Sequence, residues 1–469
     1  MTNRVDNMRR VVGLTAIVLT TGLMAACGSA PTPSTQAKTP PSTTTTQPPP
    51  ATTSVDPAAP GTDWTTYHHD NARTGTAPGI AQLSTLRKAW HAATDGPVYG
   101  QPLVVGDTIL AATEKDTVYA FAADTGAVRW STHLGTPVPR SALPCGDIDP
   151  LGITSTMVYD QATDRVYAVA ETTDGTHTLY GLAAKTGAIA IRTEVEPAGD
   201  KIANQQRAAL NLLNGRIYIA YGGLYGDCGN YVGTVVSVTT AGADPLRYSI
   251  PTTREGGIWA PGGAAVAGTT LYYSAGNGES TTTYDGSDSV IALSPDLHRT
   301  DVFAPSIWPR DNADDLDLGS ASPTVFGPWV FVAGKRGIGY VMPAGHLGGV
   351  GGQAGQAQVC RSYGGSSTDA NVIYLPCTDG TRAVAISANG TPSVRWHATV
   401  TPAGSPTVGG GAVWVVDYET GVLYALDTAD GHVRGQLFID VAPHFASPTL
   451  SGSRAYVGTM SGVVAVSGI

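Results

Sequence analysis

Residues 403–441, AGSPTVGGGAVWVVDYETGVLYALDTADGHVRGQLFIDV, are four strand-length segments parted by turn residues. Ser405-Pro406-Thr407-Val408 opens the unit, and Gly409-Gly410-Gly411 turns it into the apolar run Ala412 to Val416. Glu419-Thr420-Gly421 leads into Val422 to Asp427, and Asp430-Gly431 into a last strand ending near Ile439. Apolar runs of this length between Gly- and Asp-containing turns specify an antiparallel meander. One such sheet cannot bury both of its faces, so it needs copies of itself.

The chain supplies them. Val98 to Trp130 repeats the pattern, with Tyr119-Ala120-Phe121-Ala122 before Asp124-Thr125-Gly126. Further copies begin near residues 150, 205, 257, 318 and 363, the last ending at Trp396. The final copy, Ser447 to Val466, has three strands and then the chain stops. An orphan strand, Leu86 to Ala93, precedes the first copy, with Trp90 where Trp130 and Trp396 fall in theirs. This spacing predicts an all-β fold, an eight-bladed β-propeller of four-stranded antiparallel blades closed by an N-terminal strand. Closure removes the edges on which open sheets aggregate. A seven-bladed ring is the alternative count if the irregular second or third copy is not a blade. The three Trp residues are expected to pack between blades.

Composition agrees with short strands and frequent turns. There are 58 Gly and 32 Pro, and only 14% of residues are charged, too few for long amphipathic helices. The net charge of -10, without any Lys/Arg run, excludes nucleic acid as a partner.

The first 62 residues read differently. Arg4, Arg9 and Arg10 precede the apolar run Val11 to Met24, a secretory signal over residues 1–26. Leu23-Met24-Ala25-Ala26-Cys27-Gly28 resembles a bacterial lipobox, which implies cleavage before Cys27 and its lipidation. Residues 28–62 are nearly all Pro, Thr, Ser, Ala and Gln and form a tether with nothing to bury. The expected location is the cell membrane, lipid-anchored, with a monomeric propeller over residues 63–469 on the extracytoplasmic face.

The element Tyr-Ala-Leu-Asp, a short gap, Thr/Asp-Gly and then Trp resembles the repeat of quinoprotein alcohol dehydrogenase-like (PQQ-repeat) propellers of the secreted actinobacterial lipoprotein type. Tyr119 to Trp130 and Tyr424 to Gly431 carry it best, with Ser-Pro at 322, 405 and 447. The resemblance covers most of residues 63–469, and implies fold for both quinone-dependent dehydrogenases and envelope scaffolds. Ser274-Ala275-Gly276-Asn277-Gly278 is similar to the stretch whose Asn binds calcium in the enzymes, which makes Asn277 the metal candidate. Asp314, Asp315 and Asp317 lie where the enzymes carry a catalytic base. Three features depart from the dehydrogenases: no Cys-Cys pair, no Glu between Tyr221 and Tyr231, and no Cys-x-x-Cys-His haem site.

Of the other four cysteines, Cys360 and Cys377 flank one blade junction and are expected to pair, leaving Cys145 with Cys228. The other two connectivities remain open. Their wide spacing argues against a metal site. His68-His69-Asp70 is expected on the surface of a strap anchored by Trp64 and Tyr67, with metal ligation as the rival reading. The expected function is a membrane-anchored binding or scaffold module for a protein or glycan partner in the cell envelope, with no cofactor. Loops 140–153, 221–232, 276–289 and 308–318 are expected to build the binding face. The alternative is a dehydrogenase of an alcohol or sugar that uses pyrroloquinoline quinone and calcium.

Overall fold

A computed structural model describes residues 63–81 and 84–469. The expected signal segment, Cys27 and the whole of the tether lie outside the described residues. Eight antiparallel sheets follow one another around a ring. Blade 1 consists of Leu103–Val105, Thr108–Ala112, Thr117–Ala122 and Val128–His133. Blade 2 runs from Val158–Asp160 to Ile189–Glu194, blade 3 from Asn204–Gln205 to Leu246–Ser249, and blade 4 from Ala265–Ala267 to Arg299–Ala304. Blade 5 runs from Thr324–Phe326 to Gly355–Gln358, blade 6 from Ser367–Asp369 to Pro392–Ala398, and blade 7 from Thr407–Gly409 to Val433–Phe438. Blade 8 joins Thr449–Ser451, Arg454–Thr459 and Gly462–Ser467 to Arg87–Ala93. Trp90 faces Ala465 across that closing pair, and His91 faces Val464. The ring is closed as the three-stranded last copy requires.

Inner strands are shorter than the sequence suggests. The expected first strand from Val98 is formed only over Leu103–Val105, because Pro102 carries no N–H for a ladder. Blade 3 splits its inner strand into Asn204–Gln205 and Asn211–Leu213, both paired with Arg216–Gly223. Blade 4 gains a parallel fifth strand, Gly349–Val350, from the Gly-rich loop after His346. The stretch 308–318 is not an open loop. Trp308–Asp314 is a short α-helix with Pro in its first turn, and Asp315 ends it at φ 52°.

Blade-to-blade packing repeats one contact. Trp90, Trp130 and Trp396 each donate their indole N–H to a carbonyl of the following blade, Ala123, Ala184 and Thr428, at 3.0, 2.9 and 3.0 Å. Each indole also covers the turn glycine next to that carbonyl. A Cβ on Gly126, Gly187 or Gly431 would lie 2.7, 2.4 or 2.6 Å from the ring, and all three have positive φ. Glycine is therefore required twice over, for the turn and for the close approach.

The N-terminal strap does not lie on the outside. It threads the ring and bonds the middle of successive inner strands. Trp64 pairs with Val104 of blade 1, and the Thr65 carbonyl accepts the Tyr159 N–H of blade 2. The Asn71 side chain donates to Leu212 O of blade 3, while the Asn71 and Ala72 carbonyls accept Val266 and Val325 N–H of blades 4 and 5. Thr74 O and Gly75 O serve Thr368 and Val408 of blades 6 and 7. Trp64 and Tyr67 are buried anchors, as expected. His68 is a correction: it is fully buried, not on the surface. Positive φ at His68 (53°) and His69 (73°) turns the strap inward. The His68 ring stacks on Tyr67 at 4.1 Å and bonds Ser366 O and Ser447 Oγ at 3.0 and 2.9 Å. Both ring nitrogens are used, which argues against metal ligation.

Arg73 centres the strap. Its guanidinium donates to Ala264 O, Thr66 Oγ1, Tyr67 O and Leu210 O at 2.8–3.3 Å. Arg73→Ala would leave these buried acceptors short of a donor. It should lower stability in urea unfolding by about 3 kcal/mol, and a loss below about 0.5 kcal/mol would show that the strap holds without it.

Candidate functional site

Strands alternate in direction within each blade, so connections between blades and the turns joining second to third strands share one face. All four long loops lie there. Two disulfides tie that face, Cys145–Cys228 across Cα atoms 5.9 Å apart and Cys360–Cys377 across 5.7 Å. The expected pairing is therefore the one present. The first joins the blade 1–2 connection to the turn of blade 3, and the second joins the blade 5–6 connection to the turn of blade 6.

The mouth of the axis is lined by short segments just before inner strands. Tyr99, Tyr363 and Phe445 each stand four residues before one, at Leu103, Ser367 and Thr449. Tyr363 stacks on Phe445 at 6.1 Å and 10°, and Trp259 lies 6.5 and 6.3 Å from these two rings. His444 extends the row to Tyr418 at 5.0 Å. Arg207 lies over Phe445 at 4.9 Å and over Tyr99 at 5.6 Å, and Arg361 over Tyr363 at 5.8 Å. Tyr99, Trp259, Tyr363 and Phe445 are half-buried, so ring faces remain open to a ligand. Below the rim a cavity of about 10 Å³ reaches Tyr67, Gln101, Thr156 and Ser447. That is room for about one water molecule. The strap forms its floor.

Sequence reasoning missed this rim. Its signal was present in the repeat register, an aromatic residue before Gln101-Pro102, Ser366-Ser367 and Ser447-Pro448.

Beside Trp259 lies the acidic cluster that the resemblance singles out. Asn277 and Asp317 come together: the Asn277 N–H donates to Asp317 Oδ1 at 2.7 Å. Asp317 is buried, and Lys335 Nζ lies 2.8 Å from its Oδ2 and 2.7 Å from Asp315 Oδ1. Asp315 is the outer partner of that lysine, and Asp314 pairs instead with Arg310 at 3.1 Å on the exposed helix face. Asn277 Nδ2 reaches Glu255 Oε2 at 3.5 Å. Burial pushes the Glu255 and Asp317 carboxyls up, with Lys335 opposing this at Asp317 and Arg254 at Glu255.

Glu255, Asn277 and Asp317 are the right donor types for a hard cation. Lys335, however, already neutralises Asp317, and an Asn277 N–H holds its other oxygen. A planar three-ring quinone also cannot enter the axial cavity, which is water-sized. As arranged, these residues do not fit a quinone–calcium centre.

Behind the cavity wall stands a second group of buried acids. Glu114 Oε2 accepts from Gly152 N–H and Thr154 Oγ1 at 2.8 and 3.2 Å. Burial pushes Glu114 up to about 7 and Asp116 up to about 9, with Glu114 and Glu171 adding repulsion at Asp116. Glu171 is held by His177 at 3.3 Å. Neither Asp116 oxygen has a hydrogen-bond donor.

The class defined by this architecture is a closed eight-bladed propeller with a ring-lined mouth. The family model described as outer membrane protein assembly factor BamB matches residues 72–295. A polyvinylalcohol dehydrogenase of Sphingopyxis sp. (strain 113P3) is 24% identical over 261 residues, 50% of this chain and 37% of that protein. The chain thus spans little more than a third of the curated relative it matches. The quinohemoprotein alcohol dehydrogenase of Comamonas testosteroni superposes with a TM-score of 0.67 at 15% identity, over 86% of this chain and 80% of that one. BamB of Moraxella catarrhalis gives 0.57 at 17% identity, over 82% and 97%. At such identities the structural likeness is one of fold. Together these findings fit a PQQ-repeat, quinoprotein-like β-propeller.

Asp116 yields a pH prediction. Its folded pKa lies above its unfolded value of 3.8, so folded protein retains a proton that the unfolded chain releases. Stability from this group is complete below about pH 4 and is lost as pH rises toward about 9. Asp116→Asn should stabilise the protein by more than about 1 kcal/mol at pH 8 and flatten the dependence of Tm on pH. An unchanged slope would show that Asp116 ionises normally.

Proposed function

We propose that this chain is a membrane-anchored, extracytoplasmic binding module whose propeller mouth captures a glycan of the cell envelope. The observation that carries the reading is the row of half-buried rings, Trp259, Tyr363 and Phe445, around the axis. The C–H faces of a sugar ring are apolar and lie flat on aromatic faces, while its hydroxyl groups need polar atoms at the edge. Arg207, Arg361 and His444 supply such atoms. The lipobox at Cys27 and the tether after it support delivery to the outer membrane-facing side, where glycans are exposed. Each blade contributes its loops to one rigid rim, so the binding surface requires little ordering when the ligand arrives.

A second reading, dehydrogenation of an alcohol or sugar, is favoured by the names of the polyvinylalcohol and alcohol dehydrogenase relatives.

Titration with envelope oligosaccharides should quench Trp259 fluorescence. Trp259→Ala and Phe445→Ala should each weaken binding at least about tenfold with Tm unchanged. Absence of glycan binding, together with a rise in Tm and dye reduction on adding pyrroloquinoline quinone and calcium, would replace this reading with the second. Cys27→Ser should move the protein from the membrane fraction to the soluble fraction; continued membrane attachment would refute the lipid anchor.

A further inference from the structure

We infer that Arg207 is the seat for a carboxylate, so that the ligand of the mouth is an acidic sugar presenting a uronic-acid group. This rests on the glycan reading above and names the chemical class within it.

The first argument is charge. Arg207 stands at the rim with its guanidinium between the faces of Phe445 and Tyr99. One nitrogen donates to His444 O at 3.2 Å. Its Nε is buried and has no acceptor. Among the described residues no carboxylate forms an ion pair with it, and Asp147 and Glu114 act on it only through space. A half-buried guanidinium with a buried, idle N–H in a cavity wall calls for an anionic acceptor.

The second argument is the character of the cavity. Its polar lining can be sorted into donors and acceptors. His68 Nδ1 faces the Ser366 carbonyl at 3.0 Å, so Nδ1 carries the proton. Burial lowers His68 to about 3, so the ring is neutral and Nε2 is an acceptor. Ser447 therefore donates its hydroxyl to Nε2, and that proton is unavailable to a ligand. Thr154 donates to Glu114. Thr156 Oγ1 accepts the Gln101 N–H at 2.8 Å and keeps its own proton. Arg207 Nε and the hydroxyls of Thr156 and Tyr67 are among the donors left, and among the described residues no carboxylate lines the cavity.

The third argument is size. About 10 Å³ admits one oxygen-sized group. A carboxylate can insert one oxygen and leave its carbon skeleton outside, on Phe445 and Trp259. A sulfate or phosphate ester can insert one oxygen in the same way, so sulfate is the competing probe in the test. The seat recognises the acid group end-on, and the rings recognise the sugar that bears it.

The test uses the full chain, with glucuronate, glucose, acetate and inorganic sulfate as probes, followed by calorimetry and by the Arg207 Nε–H resonance. Glucuronate should bind at least about tenfold tighter than glucose, shift that resonance, and exceed both acetate and sulfate. Arg207→Gln should erase the preference for glucuronate over glucose. Arg207→Lys keeps the charge without the Nε–H and serves if the Gln variant does not fold; it too should lose most of the preference. Equal binding of glucose and glucuronate, or a preference that survives both variants, would overturn the inference and leave the glycan reading standing. Acetate binding as tightly as glucuronate, with the resonance shifted, would uphold the carboxylate seat and overturn the glycan reading. Sulfate exceeding glucuronate would overturn the carboxylate assignment, and failure of all four probes would overturn the seat.

Discussion

The structure depends on an indole laid on a glycine. A four-stranded blade has two faces and no helix to cover either, so each must be covered by its neighbours. Trp90, Trp130 and Trp396 do so where outer strands meet the next turn, and each fixes the spacing with one hydrogen bond to a buried carbonyl. Such contacts fix the spacing at three of the eight blade junctions. Inner strands can then be as short as three residues, as Leu103–Val105 and Thr449–Ser451 are, without losing position. This shortness puts Tyr99, Gln101, Phe445 and Ser447 at the mouth rather than in a ladder.

The strap converts a tunnel into a cup. Trp64 to Ala77 meets the inner strands of seven blades in turn, and Arg73 spends its donors on carbonyls of the strap and of blades 3 and 4. Among the described residues, the rings stand at the mouth of the axis with a small hole beneath. The acidic cluster at Asp317 lies beside this cup rather than in it. Lys335 is its resident cation, which is why residues that match a metal-binding stretch by position are arranged here as an ion-pair network.

Much of the fold was legible because propellers write their geometry as repetition. The eight-blade count, with seven as the alternative, and the closing strand at Trp90 were read from spacing, which favoured the two cysteine pairs but left the other connectivities open. The strap was not legible. Nothing local marks His68 as buried, since its enclosure comes from positive backbone φ and from Ser366 and Ser447, residues about three hundred or more positions away. The choice among Asp314, Asp315 and Asp317 was closed to sequence for a related reason. A helix, Trp308–Asp314, rotates the first outward, and only Asp317 returns to meet Asn277. Arg207 gave no signal as a lone arginine, because its significance lies in the absence of a paired carboxylate across the axis.

Pairing Arg87–Ala93 with Gly462–Ser467 also dictates an order of events. The ribbon over residues 87–93 has its partner at residues 462–467, far later in the chain. Until the two segments meet, blade 8 has one open edge and the circle has no lock. Synthesis and assembly are thereby coupled: the ring can be completed only once residues 462–467 are available to pair with residues 87–93.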